Sequence, residues 1–367
     1  MKVLYFSRDY TPHDFRFLKA ICDNGDEAYY LRLETRNVYE SRPLPDAVHI
    51  VEWRYGKEPF NINMEADNAV RELKKVFSEL QPDVVHSGPL TDCSWLAAKA
   101  DLHPHAAMSW GFDLGREIDT IPGAADRAGY ALSKADWFLG DCYVELDKAV
   151  ELGYGRDRST IFPWGIDVDR FSPGEGRIRE KISNGGDFLL LSLRTMEPNY
   201  DVETVVRGFL AAVRQEPGMR LNLLGDGSQM EKLKNIAEND SNGSRITFFG
   251  RQSNDLLVDY YRSSDLYVSA SIVDGSSVSL LEAMGCGLPV LMSEIPGNLE
   301  WVEDGANGIL FPTRDVEDLS EKIVFCCRNR DTIRKYSQNA RKLITENADW
   351  EKNKLLIHEA YRKACGQ

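Results

Sequence analysis

Wholly apolar runs recur along this chain, each followed by a polar loop and then by a segment whose apolar residues return at helical spacing. Val3 to Phe6 is the first such run. Phe15 to Cys22 follows it, with Phe15, Leu18 and Ile21 on one helical face. The same alternation predicts strands at Tyr29 to Leu33, Val48 to Trp53, Asp83 to His86, Ala106 to Ser109 and Trp137 to Leu139. It predicts helices at Asn68 to Leu80, from Ser94 to Lys99, and at Ala124 to Lys134. A second series begins at Phe188 to Leu193, a strand apolar enough to be buried on both faces, as parallel strands are. It continues with helix Val202 to Val213, the strand and Gly turn Arg220 to Gly227, and strand and loop Ile246 to Arg251. Helices at Leu319 to Cys326, Thr332 to Thr345 and Trp350 to Ala364 close the chain. Between the two series, Gly174 to Gly186 is polar and Gly-rich, as a linker is.

The most informative stretch runs from Leu266 to Met292. Leu266 to Ser269 and Leu288 to Met292 read as neighbouring parallel strands. Between them, Val278, Leu281 and Met284 lie at helical spacing, Ser276 or Ser277 suits the N-cap, and Gly285 and Gly287 stop the helix. A helix starting there aims free N–H groups and its positive end at whatever lies above the strand end, which suits a phosphate. Asp274 and Glu282 flank that spot. Two carboxylates around a phosphate-sized positive site suit a nucleotide-sugar; by pattern alone, an ordinary crossover helix with Glu282 as a solvated or capping acid fits as well.

Composition narrows the classes. With 367 residues and 43% hydrophobic content, the chain has material for two ordinary domains. A net charge of -14 argues against a nucleic-acid partner and against strong attraction to anionic membrane. The cysteines (Cys22, Cys93, Cys142, Cys286, Cys326, Cys327 and Cys365) are odd in number and form no C-x-x-C pair, which favours reduced thiols in the cytoplasm. The opening apolar run is too short for a signal peptide, and Phe188 to Leu193 is too short to span a bilayer. The expected location is therefore cytoplasmic, with membrane contact no more than peripheral, at the inner face. The Gly225-x-Gly227 turn lacks a third glycine, because Met230 stands there, so a dinucleotide fingerprint is absent.

The central stretch resembles the signature of the family-4 retaining glycosyltransferases, a Glu-x7-Glu pair followed by Ala-Met and a Gly-Pro-Val turn. Here it reads Asp274-x7-Glu282-Ala283-Met284, then Gly287-Leu288-Pro289-Val290. Other segments fit a variant of that family: Ser109-Trp110-Gly111-Phe112-Asp113, Pro163-Trp164-Gly165-Ile166-Asp167 running to Phe171-Ser172-Pro173, Arg194 to Tyr200 with Glu197-Pro198-Asn199-Tyr200, and Gly297 to Gly308. The likeness covers the second half well. In the first half it covers the order of elements and the Pro163 to Pro173 segment.

The resemblance implies an α/β chain of the GT-B class, two Rossmann-like domains with parallel sheets facing across a cleft. The implied divisions are 1–173 on the acceptor side, a linker at 174–187, a nucleotide-sugar domain at 188–349, and a helix at 350–367 crossing back. It implies a metal-independent hexosyl- or HexNAc-transferase that retains anomeric configuration. The donor would be a UDP or GDP sugar, used as substrate and not as cofactor, and the acceptor a hydroxyl of a glycan, lipid or small molecule. Arg194, at a strand's carboxyl end, would stabilise the leaving diphosphate; the Lys that the family often carries a few residues on is absent. Asp274 would orient the transferred sugar. Gly225, Gly227, Gly250, Arg251, Ser276, Ser277, Val278 and Glu282 would hold the donor, with Glu282 on its ribose.

His13, Asp14, His86, Trp110 and Asp113 are candidates for the acceptor side. For Asp14 a helix cap is the simpler reading, and for His86 a packed histidine fits as well. Asp167-Val168-Asp169 has the spelling of a metal motif but sits inside the Gly-Ile-Asp to Phe-Ser-Pro segment, so no metal site is expected there. A non-catalytic nucleotide-sugar-binding protein of the same fold is the alternative, supported by the missing Lys and by Asp in place of Glu at 274. A Rossmann oxidoreductase is a third class, opposed by the incomplete Gly fingerprint.

Overall fold

The apolar runs become parallel strands. The computed structural model describes residues 1–33, 40, 42–56, 59–183 and 185–367, and every strand pairing among them is parallel. The chain divides into two units, Met1–Pro163 with Glu351–Gln367, and Trp164–Trp350.

The first unit is built on β1 (Lys2–Ser7), β2 (Glu27–Arg32), β3 (His49–Ile50), β4 (Val84–Gly88), β5 (His105–Met108), β6 (Trp137–Gly140) and β7 (Ser159–Ile161), in the order β3-β2-β1-β4-β5-β6-β7. Its first helix, Pro12–Asp23, starts earlier than apolar spacing alone predicts. Thr11 and Asp14 form a reciprocal capping box, and Pro12 enters the first turn, where its missing N–H costs nothing. The helix over 68–80 likewise reaches back to Ile62, capped by Asn61. The strand expected over 48–53 shrinks to the short edge strand β3. Trp53 turns inward there, donating from Nε1 to the Arg32 carbonyl at 2.7 Å. Ahead of the helix Trp95–Lys99, Leu90–Ser94 forms a wider π-type turn. The closing helix divides into Trp350–Asn353 and Leu355–Ala364.

The second unit is built on β8 (Phe188–Leu193), β9 (Met219–Leu224), β10 (Ile246–Gly250), β11 (Leu266–Ser269), β12 (Val290–Ser293) and β13 (Ile309–Phe311), in the order β10-β9-β8-β11-β12-β13. On β8, Phe188 and Leu190 enter the core on one face of the sheet, while Leu189 and Leu191 enter the core on the other. Each such fully buried side chain contributes about 2 kcal/mol, which explains the unbroken apolar run. Residues 164–173 pack inside this unit: Arg262 Nε donates to the Ser172 carbonyl at 2.7 Å, and Arg341 reaches the Phe171 and Val168 carbonyls at 2.9 Å. Within 174–187, Ile182 is buried and Arg179 pairs with Asp265 at 2.8 Å; Asn184 lies outside the described residues.

Both sheets have the doubly wound order, so the chain reverses direction of travel at β1/β4 in the first unit and at β8/β11 in the second. In such sheets the crevice outside the carboxyl ends of the strands at this reversal is where ligands bind. The segments leaving those four strands are therefore where chemistry belongs. Among the described residues, no helix is long and apolar enough to cross a membrane.

All six histidines fall within the first unit. His105 on β5 is fully buried, with Nε2 2.6 Å from Ser87 Oγ, and burial pushes its pKa down from 6.5 to about 4. Its folded value lies below its unfolded one, so its contribution is intact above 6.5 and drains away as pH falls toward 4. At pH 5 the loss is about 2 kcal/mol. Chemical unfolding of His105→Gln should therefore show a pH 7 to pH 5 decrement smaller than that of the parent by roughly this amount; equal decrements would show that His105 takes up its proton while folded.

Candidate active site

At the β8/β11 reversal, the strand ends present Arg194 and the loop 270–277. The guanidinium is built into a socket. Nη1 donates to Ser277 Oγ at 2.7 Å and Ser279 Oγ at 3.1 Å, and Nη2 pairs with Asp274 Oδ2. The Tyr200 ring lies against its flat face, 4.1 Å from Cζ to the ring centroid. Only 10% of the Arg194 side chain and 20% of that of Asp274 remain exposed. Burial works against the charge on Arg194, but Asp274, Tyr200 and Tyr267 together outweigh it, and the guanidinium holds its proton more firmly than an exposed arginine does.

The socket has its own supports. Tyr267 donates to Ser279 Oγ at 2.7 Å, so that hydroxyl is itself oriented; burial raises the Tyr267 phenol to about 12. Ser277 is the N-cap residue of the helix Val278–Gly285, yet its hydroxyl serves Arg194 and makes no cap hydrogen bond. Ser276 Oγ instead receives Trp301 Nε1 at 3.1 Å. The loop is clamped from several sides. Ile272 N–H donates to the Asn199 carbonyl at 2.9 Å, and Ser293 Oγ donates to the Ser271 carbonyl at 2.6 Å. A Cβ on Gly297 would stand 2.4 Å from the Asp274 carbonyl oxygen, so that position takes no side chain without moving the loop.

The remaining donor candidates lie around this centre in different ways. Glu282 is buried in the helix and accepts from Tyr261 OH at 2.8 Å. Gly225 (φ +123°) backs onto Arg194: its Cβ would lie 2.2 Å from the Arg194 carbonyl oxygen. Gly227 approaches the Met196 carbonyl in the same manner, at 2.6 Å. Glu197 ties the two loops together, accepting from Ser228 N–H at 2.9 Å and Oγ at 2.6 Å. Gly250 (φ +66°) ends β10, its carbonyl accepting from Gly225 N–H at 2.9 Å; Arg251 is exposed and Val278 half-buried.

In the first unit the acceptor candidates are largely committed to the fold. Asp14 is buried and accepts from Tyr5 OH at 3.0 Å, from Thr11 N–H at 2.8 Å, and from the Ser7 and Thr11 hydroxyls. Burial raises its pKa to about 6 against these hydrogen bonds. His86 lies in the core instead of at a surface, because β4 is central and Tyr361 of the closing helix covers it; its Nδ1 is 2.6 Å from the Tyr361 hydroxyl, and burial pushes its pKa down to about 3. Asp113 is fully buried and closes the loop after β5, accepting from Leu90, Trp110 and Leu114 N–H groups and from Ser109 Oγ at 2.7–3.0 Å. Gly111 (φ +80°) permits that turn. Half-buried His13 and Trp110 lie together, ring centroids 5.9 Å apart, and burial holds His13 down to about 3.

Arg8, just past β1, was not among the sequence candidates. It pairs with Asp92 and with Glu117 (3.0 Å) and reaches Thr91 Oγ1 at 3.4 Å, binding together three loops at the β1/β4 reversal. The signal was present in its position: it leaves the first strand just as Arg194 leaves β8. The socket residues Tyr200, Tyr267, Ser279 and Trp301 were also missed, since hydroxyls and aromatics read as ordinary packing until the loops are folded.

One buried cluster among the described residues, Asp141, Cys142 and Glu145, brings three metal-ligand atoms within 4.8 Å of one another. It opens the helix Tyr143–Glu151, where the dipole disfavours a cation, and Glu145 Oε2 accepts from Asp141 N–H at 3.2 Å. Burial, then the Asp141 and Asp113 carboxylates, raise the Glu145 carboxyl well above its ordinary value.

Residues 175–343 match the family model described as Glycosyl transferases group 1. This part of the chain is thus similar to group 1 glycosyl transferases. It contains Arg194, Asp274 and Glu282 together with every residue of the socket. Among curated proteins, the chain is 28% identical over 220 residues to a D-inositol 3-phosphate glycosyltransferase of Nocardia farcinica, covering 57% of this chain and 49% of that protein. It is 30% identical over 193 residues to an uncharacterized glycosyltransferase of Methanocaldococcus jannaschii, covering 52% and 48%. The chain thus spans about half the length of these relatives. Among solved structures, Anabaena HepE in complex with UDP superposes with a TM-score of 0.80 at 16% identity, covering 98% of this chain and 99% of that one. Sucrose-phosphate synthase from Thermosynechococcus elongatus gives 0.81 at 16% identity, covering 99% of both. These structures show the fold, two Rossmann-like domains of the GT-B type.

The close seat of the Asp274 loop on Gly297 gives a direct expectation. Gly297→Ala should destabilise the second unit by about 2 kcal/mol, read as a lowered thermal or urea midpoint. An unchanged midpoint would mean the loop is free to shift and does not fix Asp274.

Proposed function

We propose that this chain is a retaining, metal-independent glycosyltransferase that moves a hexosyl or HexNAc group from a nucleoside-diphosphate sugar to an acceptor hydroxyl. The observation that carries the reading is Arg194: a nearly buried guanidinium at the carboxyl end of β8, beside the start of the helix Val278–Gly285, inside the segment that matches the group 1 glycosyl transferase model. Negative charge builds on the diphosphate as the sugar bond breaks. A preorganised cation and a helix start reduce that cost without reorganising at the moment of reaction. Asp274, adjacent to Arg194, orients the sugar. Glu282, anchored by Tyr261, holds the ribose. The acceptor oxygen gives its proton to the departing diphosphate, so no separate base is required.

UDP sugars are the first donors to consider, because the structures of similar fold include complexes with UDP and with UDP-glucose. The acceptor is a glycan, lipid or small-molecule hydroxyl. A thermal-shift panel of UDP, GDP, ADP and their sugars identifies the base: the matching nucleotide raises the midpoint by mass action, as any ligand selective for the folded state does.

With the donor in hand, Arg194→Ala should lower turnover about a hundredfold or more, as loss of one developing-charge donor does elsewhere. Arg194→Lys should recover only part of it, since an ammonium cannot present the planar fork. Near-normal turnover in Arg194→Ala would remove this residue from the mechanism.

A further inference from the structure

Arg194 is largely occupied, with only its buried Nε lacking an acceptor among the described residues. Its Nη1 is taken by Ser277 and Ser279, its flat face by Tyr200, and its Nη2 by the Asp274 carboxylate. Among the described residues, Asp274 has no ion-pair partner other than Arg194. A diphosphate that approaches Arg194 therefore meets a carboxylate in the place where its own oxygen would sit. Two anions held on Nη2 in so dry a setting repel each other strongly, because like charges a few ångströms apart are poorly screened where water is scarce. Binding of the diphosphate is therefore favoured when the carboxylate turns away. The hydroxyl contacts to Nη1 are neutral and need not break.

The backbone around Asp274 is held by Asn199, Ser293 and the close approach of Gly297, and Trp301 holds the Ser276 side chain beside it. The movable part is the Asp274 side chain itself, which is short and swings about two bonds.

We propose that Asp274 is an internal anion whose displacement distinguishes the sugar-bearing donor from the nucleoside diphosphate left after transfer. The proposal rests on reading Arg194 as the diphosphate-binding group. When a nucleotide-sugar binds, its diphosphate takes Nη2 and Asp274 turns to the sugar, whose hydroxyls replace the hydrogen bonds it gave up. When the sugar has gone, the displaced carboxylate faces the diphosphate with no hydroxyls to satisfy it. It then returns to Arg194 and drives the nucleotide out. The same side chain thus favours the donor and speeds release of the product.

The test is calorimetric titration of the full chain with UDP and with UDP-glucose, or with the corresponding pair for whichever base the thermal-shift panel selects. Asp274→Asn keeps the shape and removes the competing charge. It should bind UDP about tenfold tighter than the parent, the size of one charge-assisted hydrogen bond, and its preference for UDP-glucose over UDP should fall by at least that factor. Should Asp274→Asn fail to fold, Asp274→Ser removes the same charge and is titrated in its place. Unchanged or weaker UDP binding in these variants would overturn the proposal. If Arg194→Ala nonetheless abolishes UDP binding, the diphosphate role of Arg194 stands without it. If neither the parent nor the Asp274 variants bind UDP, GDP or ADP, both the proposal and the underlying reading fall.

Discussion

The second unit depends on keeping one guanidinium charged in a nearly dry position. Removing an arginine from water is costly unless each donor finds an acceptor and the charge finds a partner. Asp274 supplies the charge, Ser277 and Ser279 the neutral acceptors, and Tyr200 an aromatic face, while the buried Nε finds no acceptor among the described residues. Much else in the unit serves that arrangement. Tyr267 orients Ser279, Trp301 and Ser293 hold the loop that carries Asp274, and Gly225 and Gly297 let neighbouring backbone come close enough to enclose the site. The socket is specific because its parts come from four separate strand ends brought together by one parallel sheet.

The two units make an instructive contrast. Each places an arginine just past its first strand, at the point where strand order reverses. Arg8 is enclosed by two carboxylates, Asp92 and Glu117, and ties three loops into one piece. Arg194 has a single carboxylate and two hydroxyls. A cation matched by two acids is electrostatically closed to further anions. A cation matched by one acid and neutral groups can exchange that acid for a stronger anion without leaving a deficit. The same residue at equivalent points of two similar sheets is thus paired with two acids in one and with a single acid in the other.

The elements of this fold could be read from the chain because apolar runs and helical spacing report burial directly. Helix Val202–Val213 and helix Ala124–Lys134 begin and end where their patterns do. Boundaries moved where local hydrogen bonding decided: Thr11 and Asn61 pulled two helix starts forward, and Trp53 cut short the third strand. Arg194 and the Asp274 loop could be placed from the sequence because charged and small polar residues interrupt buried strands only at their ends, and Ser277 and Glu282 because a helix pattern follows that loop. Tyr200 and Ser279 were not, since their role is to touch a residue distant in sequence. His86 was misleading for a related reason: a histidine at a strand end looks available, and only the docking of the closing helix through Tyr361 shows that it is enclosed.

The account turns on where a pyrophosphate lands. A crystal structure of the full chain grown with its preferred nucleoside diphosphate would answer this directly. The expected result is density for the two phosphates within hydrogen-bond distance of Arg194 Nη2 and the first turn of the helix Val278–Gly285, with the Asp274 carboxylate turned away. Nucleotide bound elsewhere, or bound there with the Arg194–Asp274 pair unbroken, would contradict it.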